Sequence, residues 1–340
     1  AYKKIRIVRD AIFGRVWYGV EMKRSLVTST NSDGHSHTVE VWESTNREVA
    51  IKQMRIQEIL DRPKTENPLQ EISAMQHLYR QLSKLGNDGL QRDQYHEAML
   101  DSNVMMLQDV LTDGKYLYAV MPYCGGGDFF DLLTDGREKF SEEEARYLLS
   151  QILNGIDTLQ RGGICHLDLS LENLVTTRDG KVIIIDFGAC LKIPYSKEDS
   201  TKCGTRSTAA SRRGDRCLIK PLSGPRGKAY YISNEVLRCD IPFDGHAADM
   251  FALGPILFMM VFGNQPWEMA DFRRDPYFAE YSKGGFARCA AKVEHGLSEN
   301  LIDLLQKMFY LDPKDRLSLE QVRSHPWMQG QKMKPMTSSM

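Results

Sequence analysis

The first sixty residues alternate between short runs of β-branched and aromatic side chains and polar punctuation. The pattern predicts four strands: Lys4–Arg9, Val16–Glu21, Val39–Trp42 and Glu48–Met54. One helix is then expected. Asn67 stands as its cap, Pro68 suits its first position and Gln70 completes an Asn-x-x-Gln capping box, while Leu69, Ile72, Met75 and Leu78 recur at helical spacing. Glu71 is thereby carried on an ordered helix. A further strand, Tyr116–Met121, leads into Pro122-Tyr123-Cys124-Gly125-Gly126-Gly127, where the glycines predict a backbone hinge.

Beyond the hinge the apolar period becomes helical. Ser141-x-x-Glu144 is a capping box opening a helix with apolar residues at 145, 148, 149, 152, 153, 156 and 159, and Gly162-Gly163 ends it. Two more capped helices are expected at Ser298–Phe309 and from Ser318-x-x-Gln321 onward. The expected architecture is α+β and bilobal: a β-rich front lobe over 1–121, a hinge at 122–127, a helical back lobe over 128–330 and a tail at 331–340. The seam between the lobes is where a ligand is expected.

Composition narrows this picture only slightly. A chain of 340 residues, 42% apolar and 26% charged, can bury a substantial core and has the make-up of a soluble globular protein. Its formal net charge of −1 supplies no overall field toward nucleic acid or an anionic membrane. The seven cysteines (124, 165, 190, 203, 217, 239 and 289) are scattered without a C-x-x-C pair, which argues for free thiols in a reducing compartment such as the cytoplasm. The longest apolar stretch, Met250–Gly263, is short for a bilayer and contains Pro255, so a buried core helix is expected there. No signal peptide is visible, and a start at Ala1 suits an excised domain.

The candidate chemistry is concentrated in two neighbouring segments. His166-Leu167-Asp168-Leu169-Ser170-Leu171-Glu172-Asn173 precedes an apolar strand at Lys181–Ile185, and Asp186-Phe187-Gly188 follows that strand directly. With Val49-Ala50-Ile51-Lys52 in the front lobe, these segments resemble the eukaryotic protein kinase family, and the likeness runs in order from about Ile5 to Trp327. The resemblance implies transfer of the ATP γ-phosphate to a protein hydroxyl, a reaction that needs alignment and charge neutralisation more than covalent help. It makes Asp168 the catalytic carboxylate and Asn173 and Asp186 the ligands of Mg²⁺, with Mn²⁺ as an alternative. Lys52 would hold the α- and β-phosphates, and Glu71, nineteen residues later, would be its ion-pair partner. Phe13, Gly14 and Val16 end the phosphate-covering loop. Val16 and Ala50 above and Val175 below would enclose the adenine, the backbone around Tyr123 and Cys124 would bond its edge, and Met121 would control access behind it. Ser233-Asn234-Glu235 stands where the family has Ala-Pro-Glu, with Arg316 as partner to Glu235. Asp249 would brace the backbone at His166 and Leu167, and His166 is read as a packed structural residue.

Four departures from the family pattern change the expectation. Arg9 and Ala11 occupy the first two glycine positions of the phosphate loop, so only Gly14 survives and nucleotide affinity is expected to be weak. Leu167 replaces the arginine that grips a phosphorylated activation loop, which removes that clamp. Ser170 replaces the lysine that reaches the transferred phosphate, and Lys228 replaces a threonine near the catalytic Asp, so transition-state stabilisation is expected to be reduced and assignment to serine/threonine rather than tyrosine acceptors is weakened. The activation segment, 186–235, contains between Ala189 and Lys228 ten Lys/Arg and three acids, a net +7, which reads as a solvated loop or a docking and phosphorylation segment. A front-lobe insertion, Lys23 to His37, reads as a polar loop, its His35-Ser36-His37 lacking a third metal ligand.

The leading reading is a protein serine/threonine kinase using ATP and Mg²⁺. Pseudokinase scaffolding is the alternative, and a small-molecule kinase fits less well. Asp128 and Glu172 fall where some basophilic kinases bind arginines, implying basic protein substrates, and Asp128 also borders the nucleotide site. Two branches share features with the chain. The apicomplexan FIKK kinases share its poor glycine loop and His-Leu-Asp-Leu catalytic loop; the calcium/calmodulin-dependent kinases share its Gly-Gly-Gly-Asp and His-Pro-Trp segments.

Overall fold

The structure is a computed structural model describing residues 1–30, 36–61, 67–83, 92–134, 139–196, 216–293 and 296–330. The expected His35, residues 197–215 of the basic segment and the tail at 331–340 lie outside the described residues. The front lobe is a five-stranded antiparallel sheet built from β1 (Tyr2–Ala11), β2 (Gly14–Thr30), β3 (Ser36–Arg55), β4 (Asp109–Thr112) and β5 (Tyr116–Pro122), in the order β1-β2-β3-β5-β4. Register follows from strand parity. Val16 lies opposite Lys52, and Ala50 lies opposite Met121, so these four side chains leave the sheet on one face. Val49, Ile51 and Val120 leave on the other, as a small separate apolar cluster.

Two expected strands, Val39–Trp42 and Glu48–Met54, are one continuous β3. The polar residues between them make a bulge instead of a turn, because β2 carries on pairing past it, with Val20 opposite Glu48 and Met22 opposite Ser44. Asn46 takes φ 61° there, and Glu21, only 4% exposed, accepts from Thr45 Oγ1 and Arg47 Nη1. Beyond the bulge β2 and β3 run on as a two-stranded ribbon with Leu26, Val27, Val39 and Trp42 exposed.

Among the described residues the front lobe carries three helices where one is expected: α1 (Ile56–Asp61), α2 (Pro68–Ser83) and α3 (Arg92–Ser102). Neither extra helix writes a readable stripe, α1 burying none of its six residues and α3 being mostly polar around the buried Met99. In α2 the residues Ile72, Met75 and Leu78 are buried as expected, but Leu69 is 52% exposed. Asn67 caps α2 by accepting from Leu69 N–H at 3.0 Å. Gln70 does not close the capping box; its amide reaches the Cys190 carbonyl instead.

Helices dominate the back lobe: α4 (Phe129–Thr134), α5 (Glu142–Gly162), α6 (Asn234–Arg238), α7 (Gly245–Phe262), α8 (Pro276–Glu280), α9 (Phe286–Val293), α10 (Glu299–Met308) and α11 (Leu319–Ser324). Short strands β6 (Ile164–Cys165), β7 (Leu174–Thr176), β8 (Val182–Ile184) and β9 (Leu191–Lys192) form two small sheets, β6-β9 and β7-β8. The capping boxes at Ser141 and Ser318 both form, Gly163 ends α5 at φ 70°, and all seven expected apolar positions of α5 are buried. The long apolar stretch is α7. It is apolar enough to cross a membrane by composition, yet 89% of it is buried within the lobe, where it packs on α5 and α10.

A buried ion pair locks the lower lobe. Arg316 Nη1 lies 2.8 Å from Glu235 Oε1, with the side chains 1% and 6% exposed, and the guanidinium covers the Phe251 ring at 4.8 Å. It also donates to the carbonyls of Ala247, Tyr310 and Leu311, so its donors are well satisfied. Removing one partner leaves a buried charge without its counterion. Glu235→Ala is expected to cost about 3–5 kcal/mol, read from urea midpoints, and Glu235→Leu with Arg316→Met is expected to cost less than Glu235→Ala alone.

Candidate active site

The loop bearing Asp168 hangs from one buried carboxylate. Asp249, on the first turns of α7 and 2% exposed, accepts from His166 N–H at 2.7 Å and Leu167 N–H at 2.8 Å. Burial pushes its pKa up to about 7 against the pull of those two donors. The grip holds Leu167 at φ 63°, a left-handed conformation that a branched residue adopts only when its surroundings enforce it.

His166 is fully buried, its ring edge-on to Phe187 at 5.2 Å. Its Nε2–H donates to the Ile185 carbonyl at 3.0 Å, and its Nδ1 accepts from Asp168 N–H at 3.3 Å. Burial depresses its pKa to about 4, so the ring is neutral and packed, not a base in reserve. Asn173, 5% exposed, turns its amide N–H groups to the Asp168 carbonyl at 2.7 Å and to Asp168 Oδ2 at 2.9 Å. That leaves the Asn173 carbonyl oxygen as the atom it can offer to a cation.

Across the seam, Lys52 Nζ meets Glu71 Oε2 at 2.6 Å with both side chains largely shielded. β3 and α2 therefore present the pair that their nineteen-residue spacing anticipates. Asp186 follows β8 at φ 64° and accepts from Gly188 N–H at 3.2 Å. Burial would raise its carboxyl, but the Lys52 ammonium and the Gly188 N–H outweigh that and hold it below the usual range. An ionised Asp186 and an amide oxygen are hard donors that fit Mg²⁺ or Mn²⁺. No group of three or more His, Cys, Asp or Glu side chains is gathered for a metal among the described residues, so a cation here would complete its shell with other oxygens, such as phosphate and water.

Val16, Ala50 and Lys52 share the sheet face that also carries Met121, which is buried. Val175 in β7 bridges to Asp128, just past the hinge, within the back lobe. Tyr123 N–H is tied to the Glu48 carbonyl at 3.2 Å, and burial pushes the Cys124 thiol up to about 12, far from a reactive thiolate.

The phosphate loop differs from its expected use of glycine. Gly14 pairs with Ala11 and with Met54, and a Cβ on it would lie 2.1 Å from the Gln53 carbonyl oxygen, so strand packing alone requires glycine there. Phe13 is buried in the main apolar cluster. Arg9, at the first glycine position, sends Nη2 to Asp128 Oδ2 at 2.8 Å, and Asp128 Oδ1 caps α4 through Asp131 N–H at 2.9 Å. Ser170 is fully buried and accepts a hydrogen bond from Lys228 Nζ at 2.6 Å, while Lys228 Nζ also stands 3.5 Å from Glu172 Oε2. Sequence reasoning missed Gln70 on Cys190 and also Arg226, whose Nη1 donates to the Ala189 carbonyl at 3.1 Å. Both hold the chain just past Asp186-Phe187-Gly188, and no local pattern announces such contacts.

In a histidine-detected NMR titration, the His166 ring is expected to titrate with a midpoint near 4 instead of near 6.5. Because the folded value lies below the unfolded one, the stability this ring contributes is complete above about pH 6.5 and is lost as pH falls toward 4.

Comparison with known proteins matches this geometry. The model of the protein kinase domain family aligns with residues 90–328. The serine/threonine-protein kinase SAPK7 of Oryza sativa subsp. japonica is 29% identical over 263 residues, covering 76% of this chain and 65% of its own. The SNF-related serine/threonine-protein kinase of Rattus norvegicus is 30% identical over 236 residues, covering 69% of this chain and 28% of its own. The chain thus spans less than two thirds of the length of either relative. With the family model covering the hinge, the catalytic loop, Asp186 and the Glu235–Arg316 lock, this chain belongs to the protein kinase domain family.

Proposed function

We propose that the chain is a protein serine/threonine kinase that transfers the γ-phosphate of Mg-ATP to serine or threonine hydroxyls of protein substrates. The observation that carries this reading is simultaneous assembly: Lys52 on Glu71 at 2.6 Å, Asn173 on Asp168 at 2.9 Å, and Asp186 held ionised beside Lys52. The names of the relatives support serine and threonine as acceptors. Lys52, steadied by Glu71, binds the α- and β-phosphates. Asp186 and the Asn173 carbonyl hold the magnesium ion, which neutralises phosphate charge when bound. Asp168, aligned by Asn173, orients the acceptor hydroxyl and takes its proton. Val16, Ala50 and Val175 enclose the adenine and Met121 limits the space behind it.

Asp128 already faces Arg9, and Glu172 faces Lys228. Basic peptide side chains at those carboxylates would compete with the chain's own cations, so a basic substrate preference rests on displacement of Arg9 or Lys228.

With labelled Mg-ATP and a peptide library, Asp168→Asn is expected to lower incorporation by roughly 10²–10⁴-fold while nucleotide binding persists, with phosphoserine or phosphothreonine as the product. Equal incorporation by both proteins, or none by either, would favour the pseudokinase reading. Arg9→Gly is expected to tighten binding of a fluorescent ATP analogue by up to about 5-fold, since it removes a half-exposed side chain from the first glycine position at a difference of about 1 kcal/mol at most.

A further inference from the structure

Two departures from the family pattern meet in space. Ser170, two residues after Asp168, has lost the ammonium its position ordinarily carries, and Lys228, fifty-eight residues later, brings one back to the same point. Its Nζ donates to Ser170 Oγ at 2.6 Å and stands 3.5 Å from Glu172 Oε2. Resting on the phosphotransferase reading above, we propose that Lys228 is a catalytic residue, its ammonium contacting the transferred phosphoryl group in place of a lysine at position 170.

Two observations carry this. The approach is fixed by backbone: Gly227 has φ 95°, and a Cβ on it would lie 2.6 Å from the Leu167 carbonyl oxygen and 3.4 Å from Asp168 Oδ1. The chain that delivers Lys228 is therefore pressed directly onto the catalytic loop. Ser170 is fully buried, so its hydroxyl is an immobile anchor for the ammonium, whereas the Lys228 side chain remains 38% exposed and keeps donors for a ligand.

In the transfer step the acceptor oxygen bonds to the γ-phosphorus as the bond to the β–γ bridging oxygen breaks. The electron pair of that bond leaves on ADP and the acceptor proton passes to Asp168. Lys228 keeps its proton and offsets charge on the equatorial oxygens of the moving group. A serine and a lysine have thus exchanged places relative to the usual lysine and threonine, with the cation conserved and its point of attachment moved to the activation segment.

The test compares wild type with Lys228→Met, Lys228→Arg and the double variant Ser170→Lys/Lys228→Thr. Lys228→Met is expected to lower kcat on the order of 10²-fold with KM for ATP within about 3-fold. Lys228→Arg is expected to retain more activity than Lys228→Met, and the double variant to recover to within about tenfold of wild type. Binding of ADP alone reports folding and is expected to be unchanged. Affinity for ADP with aluminium fluoride, a mimic of the moving phosphoryl, is expected to fall on the order of 10²-fold in Lys228→Met. This binding arm reads Lys228 without turnover. A wild type that binds the mimic but transfers no phosphate would overturn the kinase reading, and the mimic's affinity would still decide this one. Lys228→Met that binds the mimic as wild type does, or a double variant that binds ADP but is no better than Lys228→Met, would overturn the proposal.

Discussion

Asp249 has almost no access to water, and the site depends on it. Its two oxygens take the N–H groups of His166 and Leu167 and so decide where the loop bearing Asp168, Ser170 and Asn173 can lie. Neither donor has a helix or strand to satisfy it, and burying both unpaired would cost several kcal/mol. The left-handed Leu167 is the conformational cost of this arrangement. Because Asp249 belongs to α7, the most completely buried helix of the back lobe, the geometry of the loop is tied to the rigidity of that core.

Positive charge is distributed around this frame by burial. Arg316, deepest, is saturated by Glu235 and three carbonyls and serves the lobe. Lys52 is shielded and paired with Glu71, and it still reaches Asp186 electrostatically. Arg9 and Lys228 lie nearer the surface on either side of the seam, each opposite a carboxylate. The Lys228–Glu172 pair is partly exposed at both ends and individually weak, whereas Arg9 is half exposed but faces the buried Asp128.

The elements that could be read from the chain are those whose stabilising contacts are local. The α5 stripe, the boxes at Ser141 and Ser318 and the parity that puts Ala50 and Lys52 on one face all lie within a few residues of sequence. The protein kinase resemblance then arranged Asp168, Asn173 and Asp186 in their order. What sequence could not show is long-range. Gln70 has a local partner available in Asn67, yet bonds to a carbonyl 120 residues away. Gly14 reads as a phosphate-loop glycine, but the Gln53 carbonyl accounts for it. Polar residues 43–47 look like a turn because a bulge and a turn use the same side chains, and only pairing with β2 distinguishes them. Ser170 and Lys228 each look like a loss until the fold places one on the other.

Gln70 and Glu71 are consecutive on α2, so their side chains leave the helix about 100° apart. One fastens to the Cys190 carbonyl in the back lobe and the other to Lys52 in the sheet. A rod held at one point can spin about it; a rod held at two neighbouring points in different directions cannot. Rotation of α2 about its axis is thereby a single mechanical coordinate that the sheet and the segment after Phe187 share, and neither attachment can be released by that rotation while the other stays in place.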